Sequence, residues 1–293
     1  MKNILIHSVA ILGLASCTAK QNFNNSEQTK VVTESDVVEV QPEVKPDDGL
    51  LSDEELTKLS NEEMVCQQGP RITALVQKAD FSSVFAAVCT DGAPNETYKQ
   101  LIKDKFNGEG APKVTLISSK SDENLTTELI LGYVINVPME KPSEFSSYKS
   151  HNILAAVEST SSKMQINVVS REEFPGRRSV EAIKLDYKIS RAKGAGIYDV
   201  RSTEFNTYLL KEDYRDVVLS TEHITDAETN KNYHSTPGLT IGIANGDGRS
   251  DLMFISKLVV KERVDPSRIE SALTDLNSKV AEMIHSHIIN SQK

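Results

Sequence analysis

IKLDYKIS, at residues 183–190, alternates apolar and polar side chains over its whole length. A period of two places the four apolar residues on one face of a β-strand and their polar neighbours on the other. Glycine-rich turns at 194–196 and 246–248 join neighbouring runs of this kind, which predicts successive hairpins and an antiparallel sheet. The other predicted strands cover residues 114–117, 129–137, 163–170, 197–210, 214–224, 237–244 and 250–263.

Helical patterns precede the strands, over residues 51–107. Ser52 and the glutamate three positions later form a capping box, which is typical of a helix N-terminus. Asn95 can cap a further helix. Between them, Gly69-Pro70 predicts a break in the helix, because proline removes a backbone donor and clashes with the preceding turn.

A long amphipathic helix is predicted to close the chain. Asp265 can serve as its N-cap, and Pro266 fits the first helical position, where its missing N–H costs nothing. An apolar stripe follows at helical spacing, formed by Ile269, Leu273, Leu276, Val280, Met283 or Ile284, and Ile288. The predicted fold class is therefore α+β: an N-terminal helical segment, an antiparallel β-sheet, and a C-terminal helix packed on the sheet.

This order of elements over residues 113–291 resembles the helix-grip folds, the START-like carriers of lipids and small molecules. The resemblance implies a cavity between sheet and closing helix. Those folds place a helical pair after their first strand, and the sequence shows no pattern for one. The alternative is a sheet packed on one face by helices, with no cavity.

The N-terminus carries a targeting signal. A basic start and an apolar run from Ile4 to Leu14, about half the length of a membrane span, precede Leu14-Ala15-Ser16-Cys17. This ending resembles the lipobox of bacterial lipoproteins, which implies acylation of Cys17 and cleavage before it. The alternative is an ordinary cleaved signal. Thr18, in place of an inner-membrane retention aspartate, favours the outer membrane.

The chain is thus expected to divide into four parts: a signal peptide (1–16), a disordered tether (17–50), a helical subdomain with a disulfide (51–110), and the sheet with its closing helix (111–293). Polar and acidic residues dominate the tether, which cannot bury enough apolar surface to offset its ordering entropy. The net charge of −9 argues against nucleic-acid partners. It also leaves membrane attachment to the lipid.

Two cysteines remain once Cys17 is lipidated, and Cys66 and Cys89 form an even pair in an oxidising compartment. Such a pair predicts one disulfide, worth roughly 3 kcal/mol for a loop of about 24 residues. The alternatives are two free thiols or half of a metal site.

One loop resembles a metal site. Asn245-Gly-Asp247-Gly-Arg-Ser-Asp251 is similar to the calcium loops of integrin-type propeller repeats, which implies that Asn245, Asp247 and Asp251 are oxygen ligands. The first aspartate of that pattern is replaced by Ile243. The alternative is a glycine-rich turn between two strands, and no other cofactor is indicated.

Catalytic patterns are absent from the sequence. There is no Gly-x-Ser-x-Gly elbow, and the Ser146-x-x-Lys149 spacing lacks its companion motif. The six histidines, including His285 and His287, are expected to be structural or exposed.

The sequence therefore favours a non-enzymatic, membrane-anchored lipoprotein of the cell envelope, with a binding or structural role and an envelope protein as partner. The alternative is a periplasmic-side carrier of a lipid or small apolar molecule. An exported hydrolase is the third hypothesis.

Overall fold

The sequence folds into helices and one large sheet, as seen in a computed structural model. The structure describes residues 49–76, 80–122, 126–142, 145, 164–174, 182–193, 196–211, 214–224, 233–235, 237–260 and 266–291. The predicted signal, Cys17 and most of the tether lie outside the described residues, as does Ser146-x-x-Lys149.

Helices begin and end the described chain. They are α1 (Asp53–Leu56), α2 (Asn61–Val76), α3 (Ser82–Ala86), α4 (Glu96–Lys103) and α5 (Pro266–Ser291). Ser52 and Glu55 form both hydrogen bonds of the capping box. The Asn95 side chain accepts from the Tyr98 N–H, so the second predicted cap is confirmed as well.

Nine strands of the described chain form a single antiparallel sheet, and two more form a small hairpin. The hairpin is β1 (Cys89–Thr90) and β2 (Ala93–Pro94); the sheet contains β3 (Thr115–Ser121), β4 (Thr127–Val137), β5 (Met164–Phe174), β6 (Ala182–Lys193), β7 (Gly196–Lys211), β8 (Tyr214–Ile224), β9 (Tyr233–Ser235), β10 (Gly238–Ala244) and β11 (Ser250–Val260). Their order is β3-β4-β11-β10-β8-β7-β6-β5, with β9 beside β11. Since the last strand, β11, pairs with β4, the chain returns to the edge of the sheet that begins with β3 and β4 before α5 begins.

The predicted break at Gly69-Pro70 is wrong. Helix α2 runs from Asn61 to Val76 with Pro70 inside it. The Thr73 hydroxyl donates to the carbonyls of Gly69 and Pro70, at 3.2 and 3.0 Å. A Cβ on Gly69 would lie 2.8 Å from the Phe85 ring, so this glycine lets the helix pack closely instead of ending it. Tertiary packing on both sides of Pro70 offsets the lost hydrogen bond.

Helices cover both faces of the sheet, and each face has its own core. On the first face, buried residues of α1–α4 pack against Ile130, Val134, Leu239, Ile241 and Ile255. On the second, α5 packs against the intervening residues of β4 and β11. The alternative of a sheet covered on one face only is therefore wrong. Alternation along β4 and β11 is what divides them between the two cores.

The second core holds α5 on the sheet. Val280, Ala281, Ile284 and Ile288 of this helix are buried against β4, β11 and Phe106. The α+β class and the closing helix on the sheet are thus confirmed. The predicted boundary between a helical subdomain and the sheet stays a prediction, although residues from both parts share the first core.

Candidate functional site

Strand β10 has two unlike faces. Its odd-numbered residues Leu239, Ile241 and Ile243 are buried under the N-terminal helices. Its even-numbered residues are small, because GLTIGIA places Gly238, Thr240, Gly242 and Ala244 on the face toward α5. Small side chains on this face allow close packing at Gly242, whereas Thr240 remains partly accessible.

One row of side chains on the α5 face is accessible in the middle of the sheet. Strand pairing places Ser220, Thr240 and Phe254 side by side across β8, β10 and β11. All three are only partly buried. We call this row, with the space above it, the α5-side recess.

Buried rows border the recess on both sides. Toward one end of the strands lie Val218, Gly242 and Leu252, and toward the other lie Gly238 and Ser256; each of these residues is buried. Accessible side chains between two buried rows indicate a depression in the packed face, since an open sheet surface would expose the neighbouring rows too.

Aromatic rings form one end of the recess. Phe254 stacks on Tyr133 of β4, with ring centroids 4.9 Å apart and an angle of 16°. Phe145 meets Phe254 edge to face at 6.1 Å. Tyr133 and Phe145 are 4% and 1% exposed, so Phe254 is the ring of this group that solvent reaches.

The chain after β4 forms a wall of the recess. The Ser250 hydroxyl donates to the Met139 carbonyl at 2.6 Å and holds this segment on the sheet. Pro142 then lies directly over Gly242, where a Cβ would come within 2.8 Å of the proline ring and of Val218. Glycine is therefore required at 242 for the wall to lie where it does.

A buried polar chain lies on the opposite face, at the end of the sheet where β11 begins. Lys105 contacts both carboxylate oxygens of Asp251, at 3.1 and 2.9 Å. The Asn136 amide donates to the same carboxylate at 2.6 Å, and the Arg249 guanidinium donates to the Asn136 side chain and carbonyl. Burial, with the charges of Glu62 and Asp251, raises the pKa of the nearby Tyr98, which therefore remains protonated.

The structure separates the three residues of the predicted calcium loop. Asp251 is buried in the polar chain, whereas Asn245 and Asp247 are exposed in the β10–β11 turn. The Asn245 N–H donates to the Arg249 carbonyl, and Asp247 accepts from the Arg249 N–H, which are hydrogen bonds of a hairpin turn. The calcium site stays a prediction; within the described ranges, no group of three or more His, Cys, Asp or Glu side chains is placed to hold a metal.

Cys66 and Cys89 are joined by a disulfide, with Cα atoms 5.5 Å apart. It ties α2 to the β1–β2 hairpin, among the N-terminal helices. Among the helices the structure describes, none has both the length and the apolarity needed to cross a bilayer.

His285 differs from its neighbour His287 in its environment. It is 5% exposed on α5, whereas its neighbour His287 is only partly buried. Burial and the positive charge of Arg249 lower the pKa of His285, although the carbonyls of Asn107 and Asn136 act in the other direction. Sequence reasoning placed His285 among structural residues and had no signal for this setting.

Sequence reasoning also missed the recess. The available signal was the alternation of small and large residues in GLTIGIA, which was interpreted only as a strand. Which face the small residues occupy depends on the pairing of β10 with β11, and that pairing is a tertiary fact.

No family model matches the sequence, and no curated protein matches it either. Solved structures with a similar chain trace include norcoclaurine synthase from Thalictrum flavum in complex with dopamine and hydroxybenzaldehyde (10% identity, 61% of this chain and 98% of that chain, TM-score 0.37). Others are the human StarD13 lipid transfer and protein localization domain (12%, 66% and 96%, TM-score 0.34) and an aromatase/cyclase from Streptomyces sp. R1128 (11%, 57% and 96%, TM-score 0.31). At TM-scores below 0.5 these likenesses assign no activity.

Proposed function

We propose that this chain is a non-enzymatic carrier that binds a small, mostly apolar molecule in the α5-side recess. The observation that supports this most is the accessible row of Ser220, Thr240 and Phe254 between two buried rows. A partly exposed phenylalanine ring beside small side chains offers apolar surface that a ligand can cover. Each 100 Å² covered would contribute about 2.5 kcal/mol before the cost of association.

The chemistry of the row limits the ligand. Phe254 favours an aromatic or extended hydrocarbon part that stacks on its ring. The hydroxyls of Thr240 and Ser220 lie farther along the row and can hydrogen-bond a polar end of the ligand. No charged residue belongs to the row, so we expect an uncharged or weakly polar molecule.

We further propose that the carrier is anchored through acylated Cys17 to the outer membrane. The support is the Leu14-Ala15-Ser16-Cys17 motif. Two or more acyl chains hold a protein stably at a bilayer, where a single chain does not. A carrier held at the surface could then exchange an apolar molecule with the membrane over the reach of its tether. In lipid-labelling and fractionation, Cys17→Ser should release the protein from membranes; retention of this variant would contradict the anchor.

Native mass spectrometry of the Cys17→Ser chain tests the carrier role. We expect extra mass that disappears on denaturation, and binding of the uncharged fluorescent probe N-phenylnaphthylamine. Thr240→Leu should fill the recess and weaken probe binding about tenfold or more. Thr90→Leu places the same side chain on the exposed β1 strand and serves as the matched control.

Equal probe binding by the two threonine variants would contradict a site in the recess. An apo mass in every preparation, together with an envelope protein cross-linked to the native chain, would instead favour the binding or structural role. Turnover of a substrate in a broad hydrolase screen would contradict the non-enzymatic assignment.

A further inference from the structure

Residues 106–112, which we call the edge loop, connect α5 to the margin of the sheet. Phe106 takes the edge position beside the end of β4: its N–H donates to Val134 at 2.9 Å, and its carbonyl accepts from the Asn136 N–H at 2.8 Å. Farther along the loop, the Pro112 carbonyl accepts from the Ser278 hydroxyl of α5 at 3.4 Å. The edge loop is thus fixed to the sheet on one side and to α5 on the other.

His285 of α5 contacts the edge loop directly. Its ring meets Phe106 edge to face, with centroids 5.0 Å apart. Gly108 lies so near that a Cβ there would be 2.5 Å from the imidazole Cε1. The buried Nε2 atom has no hydrogen-bond partner. The imidazole is therefore held by packing and lies within the influence of the Asn107 and Asn136 carbonyls, while its Nε2 atom is left unsatisfied.

The surroundings of His285 oppose a positive charge. Arg249, from the β10–β11 turn, is the charged side chain whose field acts on the imidazole. Glu109 of the edge loop and Glu282 of α5 are exposed, and His287 is partly exposed. The carbonyls of Asn107 in the edge loop and Asn136 on β4 favour the charge, but burial and Arg249 act more strongly against it. A proton on Nε2 would therefore lack a buried acceptor and would lie near a guanidinium.

We propose that His285 is a proton-sensitive latch, whose protonation frees α5 from the edge loop, opens the α5-side recess and releases the bound apolar molecule. This inference rests on the proposed carrier function, because it describes how that site is regulated. The link is helix α5 itself, since Ile284 and Ile288 on either side of His285 belong to the core that contains Phe254.

The direction of the pH effect follows from the lowered pKa of His285. The neutral imidazole is favoured in the closed form, so its contribution is fully present above the ordinary value of about 6.5. It is lost as the pH falls through the lower pKa of the folded state, because the open form binds the proton better. If the recess is closed for only a fraction of the time, the apparent affinity for its ligand falls in proportion to that fraction.

The test compares the Cys17→Ser chain at about pH 7.5 and about pH 5, on either side of the ordinary histidine range. N-phenylnaphthylamine suits this purpose because it is uncharged at both. We expect affinity to fall at least about fivefold at the lower pH. His285→Gln should remove this dependence, whereas His287→Gln, on the same helix, should retain it.

A second measurement does not depend on ligand. Amide hydrogen exchange in residues 278–288, corrected for the intrinsic effect of pH, should become at least about fivefold faster at the lower pH, while exchange in β4 stays constant. Unchanged exchange in α5 would overturn the latch. If the probe fails to bind even at about pH 7.5, the carrier function fails, and the exchange result still decides the latch.

Arg249→Gln provides a further variant in case His285→Gln does not fold, as judged by circular dichroism. Removing the guanidinium should make His285 easier to protonate, so the midpoint of the exchange transition should move to higher pH. A midpoint that does not move in Arg249→Gln would contradict titration of His285 as the cause.

Discussion

The two faces of β10 and β11 come from alternate residues of the same two strands, but they are built differently. The face under the N-terminal helices carries large aliphatic side chains packed to full burial. The face toward α5 combines glycine, threonine and serine with the buried Leu252 and Leu258 and with one accessible aromatic ring. The first arrangement stabilises the fold, and the second contains the row of residues that we propose as the ligand site. Substitutions on the first face should therefore change stability, and those on the second should change binding.

Truncating one phenylalanine on each face tests this difference most strongly. Phe85→Ala removes a ring that is 3% exposed and contacts Gly69, and it should cost about 3–5 kcal/mol of unfolding free energy. Phe254→Ala should cost about half as much, because that ring is already partly exposed, but should weaken probe binding about tenfold. Urea unfolding and probe titration give both quantities. A larger stability loss for Phe254→Ala would contradict the assignment of the faces.

The disulfide lies among the N-terminal helices, on the opposite side of the sheet from the recess, so its removal should affect stability alone. Replacing Cys66 and Cys89 together by alanine opens a cross-link of sequence separation 23 and should cost roughly 3 kcal/mol. Probe affinity at a temperature where both proteins are folded should be unchanged. A comparable loss of affinity would show that the two faces are coupled.

Lys105→Met tests the polar chain at the end of the face under the N-terminal helices. It leaves the Asp251 carboxylate, 8% exposed, without its cation, and should cost about 2 kcal/mol. Lys58→Met removes an exposed lysine paired with Glu54 and is the matched control, for which we expect less than about 0.5 kcal/mol. Thermal unfolding of the two variants compares them directly. Equal midpoints would contradict a stabilising role for Lys105.

Gly108→Ala tests the α5 side, with an expected loss of stability similar to that of Lys105→Met. The new Cβ would enter the space of the His285 ring at a φ of +100°, and should cost about 2 kcal/mol. Gly110→Ala, at φ +73° with nothing within 4 Å, pays only the backbone strain of about 1 kcal/mol. Gly108→Ala should also weaken probe binding by displacing α5. Equal effects of both variants would contradict close packing at His285.

Much of the fold follows from local patterns. The predicted strand at 214–224 matches β8, and the predicted turn at 246–248 lies between the paired strands β10 and β11. Residues 194 and 195 of the other predicted turn lie outside the described residues. Helix α5 begins at Pro266 as expected. These features depend on residues close in sequence, so propensity, period and turn chemistry suffice. The break expected at Pro70 failed because long-range packing outweighs one lost hydrogen bond.

The candidate site depends on contacts that local patterns do not contain. Asp251 was predicted to be a calcium ligand together with Asn245. In the structure its side chain lies on the face under the N-terminal helices, where it contacts Lys105, a residue far away in sequence. The burial of His285 likewise depends on Phe106 and Gly108, which lie far from it in sequence.

The amino-acid order alone predicted an exported-type N-terminus. It was enough to determine an α+β chain, its hairpins and its closing helix, since each of these arises from neighbouring residues and from the periods of strand and helix. The tertiary structure decided which face of the sheet each side chain joins, because strand order and register bring together residues more than a hundred positions apart. Burial and electrostatics at Phe254, Asp251 and His285 are consequences of that pairing.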